Sequence, residues 1–303
     1  MARPRGPFDL ANQNQFFGGW PTLADEPGAL VLSFPVEGWD GSAAVVLRQT
    51  KTNGRVTGEV YGTTHAPAKA KAQALAALSL DQDGTGWPAI GKRDPVIGAL
   101  QKKYRLLRPS LFNSPYEAAA HFIIAHRISM LQGRAIRARM AEEFGEAIRV
   151  GRETFYAFPT PQRLLQIKKI KSLPARKIDR LHGVAQAALE GTLDRAYLRK
   201  KASASSDQAL EELQRIAGIG PFFASGILRR GAGLVDSITR DSMTRYAVQK
   251  AYRLPQPPND AQLDAIADRW HPYRMWAIIV LHIWVRREVG RPGRLAPRRS
   301  ASR

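Results

Sequence analysis

An aspartate and a pair of glycines make the first chemical suggestion in this sequence. Within residues 210–247, LEELQRIAGIGPFFASGILRRGAGLVDSITRDSMTRYA, Gly218 and Gly220 flank Ile219 in a tight turn between two helical segments. Asp241 follows twenty-one residues after Gly220, at the head of the amphipathic run SMTRYAVQKAY. Glycine supplies backbone angles that side chains forbid, and Pro221 suits a first helical turn, where its missing N–H costs nothing. The free N–H groups of such a turn and helix start form a seat for a phosphate oxygen. A carboxylate fixed nearby can stabilise developing positive charge or orient an attacking water. Taken singly, these residues also have ordinary readings, since Asp is a common N-cap and Gly-Ile-Gly a common turn. Their combination carries the chemical reading.

The rest of the chain supplies a setting for a phosphate-seeking site. Its 303 residues hold 46 Lys and Arg against 26 acids, a net charge of +20. Such an excess repels itself unless a polyanion neutralises it, which points to nucleic acid and, less well, to an anionic membrane. There is no cysteine, which excludes disulfides, thiolate catalysis and Cys-ligated zinc or iron–sulfur clusters. The N-terminal MARPRGPFDLANQ lacks the apolar core of a signal peptide, and the longest apolar run, Met275 to Val285, is too short to span a bilayer and contains His282. A cytoplasmic, nucleoid-associated protein is the expectation, with no membrane partner.

The elements that must position these residues fall into an α+β pattern. Residues 1–7 are expected to be disordered. ALVLSFPVEGW, SAAVVLRQT and GRVTGEVYG read as strands separated by Asp-Gly and Asn-Gly turns, followed by a helix over residues 67–80. A small antiparallel sheet with a packed helix is expected over residues 1–92, closed by the Gly-rich loop 81–92. Residues 93–290 then read as helix throughout. Asp94-Pro95 opens one helix, and Ser114-Pro115-Tyr116-Glu117 opens another with a cap, a proline and a capping-box Glu. Residues 291–303, RPGRLAPRRSASR, form a basic tail expected to be disordered and to touch phosphates. Five Lys or Arg lie between Lys168 and Lys177; among them Lys171, Arg176 and Lys177 flank a turn at Pro174, where a backbone contact would be easy.

LQRIAGIGPFFA, the spaced Asp241 and WHPYRMWAIIVLHIW (Trp270 to Trp284) together resemble the helix–hairpin–helix DNA glycosylase superfamily, and within it DNA-3-methyladenine glycosylase II. FNSPYEAAAHFIIAHRIS, FPTPQRL and AALEGTL support the resemblance, which covers roughly residues 94–289. The resemblance implies two helical subdomains with an active site in the cleft between them. Asp241 matches the catalytic aspartate, with Asp236 as a second carboxylate better explained as a loop residue. Phe222 and Trp284 match aromatics of the base pocket. Gly218, Ile219 and Gly220 match the strand-gripping hairpin, with a monovalent cation at the Ile216 and Gly218 carbonyls. Bifunctional relatives carry a lysine nucleophile where this chain has Phe222, so the resemblance implies hydrolysis without strand cleavage. No metal or organic cofactor is implied for the chemistry.

Two departures bear on the site. Relatives have an aromatic where this chain has Gly226, which implies a roomier pocket. They fill the gap left by an extruded nucleotide with Gln and a second Gln or bulky apolar residue, where this chain has His126 and Arg127. A guanidinium can plug such a gap and stack on bases. The expected protein is a monomer that releases alkylated purines (3-methyladenine, 7-methylguanine) from damaged double-stranded DNA. A non-catalytic DNA-binding module, or a glycosylase for hypoxanthine, uracil or an oxidised purine, is the alternative.

Overall fold

The computed structural model describes residues 2–13 and 19–290. After a short helix α1 (Leu10–Gln13), the chain forms a four-stranded antiparallel sheet in the order β1 (Thr22–Leu23), β2 (Glu26–Pro35), β3 (Ser42–Gln49), β4 (Val56–Gly62). Leu30, Leu32 and Phe34 of β2 and Val45 and Leu47 of β3 point to one face, where α2 (Pro67–Ala77) covers them with Ala70, Ala74 and Ala77. This is the α+β arrangement that the sequence predicts for the first part of the chain.

The opposite face of the sheet has a cover that the sequence reading did not provide. Residues read as helix contain a hairpin, β5 (Glu146–Val150) and β6 (Glu153–Ala157), turning at Gly151 with φ +59°. Its Ile148, Val150, Phe155 and Ala157 pack on Ala29, Val31, Ala44 and Val46. With both faces buried, β2 and β3 show near-continuous apolar runs in place of clean alternation. The hairpin therefore crosses the sequence boundary at residue 92 to complete the sheet unit. Residues 2–7 also differ from expectation. Ala2 pairs with Val56, and the carbonyls of Arg5 and Pro7 accept from the buried Arg108 guanidinium, whose charge needs those oxygens. The basic tail 291–303 lies outside the described residues.

The helical body has two apolar cores. Before the first come α3 (Trp87–Arg93), where the sequence predicted a loop over 81–92, and α4 (Pro95–Lys103), which Asp94 caps and Pro95 opens as the sequence predicts; Trp87 and Ile90 anchor α3. Then follow α5 (Pro115–Ala125), α6 (Met130–Phe144), α7 (Pro161–Leu165), α8 (Ala175–Leu189), α9 (Arg195–Ala204), α10 (Ser206–Gln214) and α11 (Pro221–Gly226). One core joins Ile123, Leu164, Leu181, Leu213, Ile219 and Ile227. After a π-helical segment, Ile227–Ala232, come α12 (Ser242–Ala251), α13 (Asp260–Ala267) and α14 (Arg274–Trp284). The second core joins these to α3 and α4 through Ile97, Val248, Leu263, Trp270, Trp276 and Leu281. Ser114 caps α5 as the sequence predicts, but Glu117 turns inward to Arg137 (2.7 Å) and Asn113 and closes no capping box.

Candidate active site

α10 and α11 form two helices joined by a hairpin over residues 215–220. Gly218 sits at φ +89°, a conformation costly for any side chain, and the Ile219 N–H donates to the Ile216 carbonyl at 2.9 Å. Ile216 and Ile219 are buried, so the hairpin turns its apolar side chains inward and leaves backbone at its outer surface. Ile216, expected to offer a carbonyl to a cation, keeps one lone pair beyond that turn bond. Gly220 precedes Pro221 and caps α11 without any side chain, and a Cβ there would meet nothing within 4 Å. Phe222 follows, 56% exposed. It is the outer rung of an aromatic ladder: Phe222 lies 6.4 Å from Phe122 and 5.9 Å from Phe223, while Phe122 stacks on Phe223 at 5.2 Å and meets Phe112 at 6.1 Å.

The ladder also settles the space at Gly226. A methyl group there would overlap the Phe122 ring, so the absent side chain gives no room to a pocket. An aromatic from the neighbouring helix fills the position from the other side. The expected roomier pocket at Gly226 is corrected accordingly.

Asp241 caps α12 from a β-region conformation, with its Oδ1 accepting the Thr244 N–H at 2.8 Å. Oδ2 accepts the Thr239 hydroxyl at 2.7 Å and the Thr244 hydroxyl at 3.2 Å. Partial burial alone would raise the pKa of this carboxyl, but the hydrogen bonds from Thr239 and Thr244, helped by His282, outweigh it and hold the group below its ordinary value. Asp241 is therefore an anion at neutral pH. Beneath it the buried Arg229 guanidinium bonds to Ser225 of α11 (2.5 Å) and to the Ile238 carbonyl (3.1 Å), tying the helix that carries Phe222 to the loop that delivers Asp241. Burial lowers the Arg229 pKa to about 10, with Asp241 opposing the change. Asp236 is engaged elsewhere, with His271 Nδ1 at 2.6 Å and Arg274 at 3.0 Å, in keeping with a loop role.

Trp284 stands apart from this group. His282 points to Thr244 in the first turn of α12, with Nε2 3.0 Å from the hydroxyl oxygen. Two residues on, roughly 200° around a helix, Trp284 lines a 460 Å³ cavity with Pro95, Val96, Leu100, Tyr252 and Arg253, at the far end of α12 from Asp241. The helical phase thus turns Trp284 towards α4. A second cavity, of 420 Å³, is lined by Phe112, Glu117, Arg137 and Phe158, again away from Asp241.

The turn between α5 and α6 completes the surface around the hairpin. His126 ends α5 with its ring 5.6 Å from Phe223, and burial with the nearby Arg127, Lys177 and Arg180 charges keeps its pKa low. Arg127 is exposed with φ +58°, a left-handed conformation uncommon for a long side chain. Lys177 was expected on phosphate, yet its ammonium caps α5 by donating to the carbonyls of Ile124 (2.7 Å) and His126 (2.8 Å). Arg176 and Lys171 are exposed on the start of α8 and the loop before it. Sequence reasoning missed five contributors. Arg180, one turn after Arg176 on α8, lies over the hairpin, so that a Cβ on Gly218 would stand 2.6 Å from its Cδ. Met130 and Leu131, 44% and 78% exposed, stand beside Arg127. Thr239 and Thr244 were readable only as neighbours of Asp241 in sequence.

No protein-family model matches the chain. It is 31% identical over 173 residues to DNA-3-methyladenine glycosylase 2 of Escherichia coli K12, a match covering 56% of this chain and 56% of that protein, so the chain spans little more than half the length of this relative. The fold superposes on a 3-methyladenine DNA glycosylase from Archaeoglobus fulgidus with a TM-score of 0.76 at 19% identity, over 94% of this chain and 97% of that one. The chain therefore has the fold of this DNA glycosylase and resembles DNA-3-methyladenine glycosylase 2 over those 173 residues. A second solved structure, the 8-oxoguanine glycosylase/lyase of Clostridium acetobutylicum in complex with DNA, gives a TM-score of 0.66 at 18% identity over 92% of each chain. At such identities the likeness is one of fold, and it extends over sheet and helical body alike.

Proposed function

We propose that the protein is a DNA glycosylase that removes alkylated purines, 3-methyladenine and 7-methylguanine, from duplex DNA without cleaving the strand. The observation that carries this reading is Asp241: an anion held by three hydrogen bonds at a helix start, tied through Arg229 to the helix presenting an exposed aromatic. Departure of a purine leaves positive charge on the deoxyribose, and a preorganised carboxylate stabilises that charge without reorganising. Extruding the nucleotide costs a few kcal/mol, less where pairing is already weakened. Phe222 stacks on the extruded, electron-poor base, with the ladder behind it fixing its position. The backbone N–H groups of Gly218 and Gly220 grip a phosphate, the Ile219 N–H being held by the Ile216 carbonyl, with Arg180, Arg176 and Lys171 adding charge. The Ile216 and Gly218 carbonyls are the groups that would hold a monovalent cation in the hairpin. Arg127, projected from its left-handed turn beside His126 and Leu131, enters the gap in the duplex. A phenyl ring at position 222 has no amine with which to form a Schiff base, which supports hydrolysis alone.

The test is single-turnover release of methylated base from alkylated DNA. Asp241→Asn keeps the shape of the cap and is expected to slow release by roughly a hundred-fold or more, with duplex affinity unchanged. Equal release by both proteins would remove Asp241 from the reaction. A second reading, an oxidised purine as substrate, is favoured by the full-length likeness to the 8-oxoguanine glycosylase/lyase fold. Defined oligonucleotides carrying one lesion each separate the two readings.

A further inference from the structure

Asp241 is held partly by a residue from another helix. The Thr244 hydroxyl is 3.2 Å from Asp241 Oδ2 and 3.0 Å from His282 Nε2, so it stands between a carboxylate and an imidazole. A threonine hydroxyl has one proton to give. With Asp241 ionised, that proton goes to the carboxylate, because a charged acceptor makes roughly twice as strong a bond. His282 can then bond to Thr244 only by donating from Nε2. We propose that His282 is a positioning residue for Asp241, acting through Thr244 as a donor chain from Nε2–H to Oγ1–H to Oδ2. The proposal rests on the reading of Asp241 as the reacting carboxylate.

The chain has a geometric consequence. Oδ2 receives both the Thr239 and Thr244 hydroxyls, while Oδ1 receives only the Thr244 N–H. Each carboxylate oxygen offers about two acceptor sites, so the open one lies on Oδ1. That is the atom left to face a sugar cation or an incoming water. Thr244 is 1% exposed, so no bulk water competes for its hydroxyl. The charged groups around His282 are Asp241 from the cap of α12, Arg229 and Arg230 from the π-helical segment, and Arg286 one turn along its own strand of helix. Burial lowers the ring's pKa to about 4, with Asp241 opposing and the three arginines reinforcing, so a single ring proton is available at neutral pH and the chain assigns it to Nε2.

The experiment compares His282→Phe, which fills the space without a donor, with His282→Gln, whose amide N–H can reach where Nε2 stood. Thr244→Val removes the link between them. Base release in single turnover, duplex affinity and the titration of the Asp241 carboxyl by 13C NMR are read for each. His282→Phe and Thr244→Val are expected to slow release about ten-fold with affinity unchanged and to raise the Asp241 pKa, moving the acid limb of the rate profile upward. The double variant is expected to be no slower than Thr244→Val alone, since both lie on one chain. His282→Gln is expected to return rate and titration towards wild type. Equal defects in His282→Phe and His282→Gln, or an Asp241 titration unmoved by either, would overturn the proposal. If His282→Phe does not fold, His282→Asn, whose amide falls short of Thr244, replaces it. If the wild-type protein releases no base, the glycosylase reading fails, while the carboxyl titration still decides the donor chain.

Discussion

Phe222 shows at the scale of one residue how a site differs from a core. Aromatic side chains bury large areas when they can, yet this ring is more than half exposed although Phe122 and Phe223 stand ready to cover it. Under the proposed function, that exposed face is the one on which an extruded base stacks. Phe222→Ala is expected to weaken binding to a duplex carrying a stable lesion analogue about ten-fold, within the ~1–3 kcal/mol of a base–aromatic stack. Binding to undamaged duplex and thermal stability should barely change. Fluorescence anisotropy with the two duplexes checks this, and equal losses on both would place Phe222 on the backbone-binding surface only. Asp241 was legible in the sequence because an acid at a helix head has a recognisable setting. The hydroxyls that keep it ionised were not, since Thr239 and Thr244 become donors only once the loop folds back on α12.

At the scale of elements, two glycines have different reasons for being glycine. Gly218 needs φ +89° and also lies under Arg180. Gly218→Ala is expected to lower duplex affinity by about ten-fold and stability by roughly 1–3 kcal/mol, measured by salt-controlled binding and denaturant melts. Gly226 has ordinary helical angles, φ −64° and ψ −40°, and is glycine because the Phe122 ring occupies its flank. Gly226→Ala is expected to cost roughly 1–3 kcal/mol by overpacking. The double variant Gly226→Ala/Phe122→Leu should recover part of that, which a loss unrelated to Phe122 would not. The hairpin turn and its following proline could be read directly, as local backbone demands. The contact of Gly226 with a helix a hundred residues earlier could not. The β5–β6 hairpin was also within reach, since AIRVGRETFYA alternates around a Gly-Arg turn, but only Gly145 separates it from the helical run before it.

At the scale of the whole molecule, the sheet unit is fastened to the helical body by buried charge. Glu37, in the turn between β2 and β3, faces Arg195 at the start of α9, with 3.9 Å between Oε2 and Nε. Burial raises the Glu37 pKa from 4.5 to about 7, with Arg195 opposing. A raised folded-state pKa means that the folded protein binds a proton the unfolded chain has already released. The stability linked to that proton is fully present below pH 4.5 and is lost as pH rises through about 7. The change amounts to roughly 3 kcal/mol at most. Glu37→Gln is expected to flatten this part of the stability profile, whatever offset follows from leaving Arg195 without its acid. Denaturant melts between pH 4.5 and 8 check the slope, and an unchanged slope would assign the effect to another group.

By itself the sequence determined the strands β2 to β4, the glycine hairpin, the cap at Asp241 and the positive charge that calls for a polyanion. Each of these follows from neighbours a few residues apart, where chain stiffness and helical period do the deciding. Only the tertiary structure decided that Trp284 turns towards α4, that Phe122 fills the place beside Gly226, and that His282 reaches Thr244. Those are contacts between helices distant in the chain, and the phase at which one packed surface meets another is set by all their side chains together.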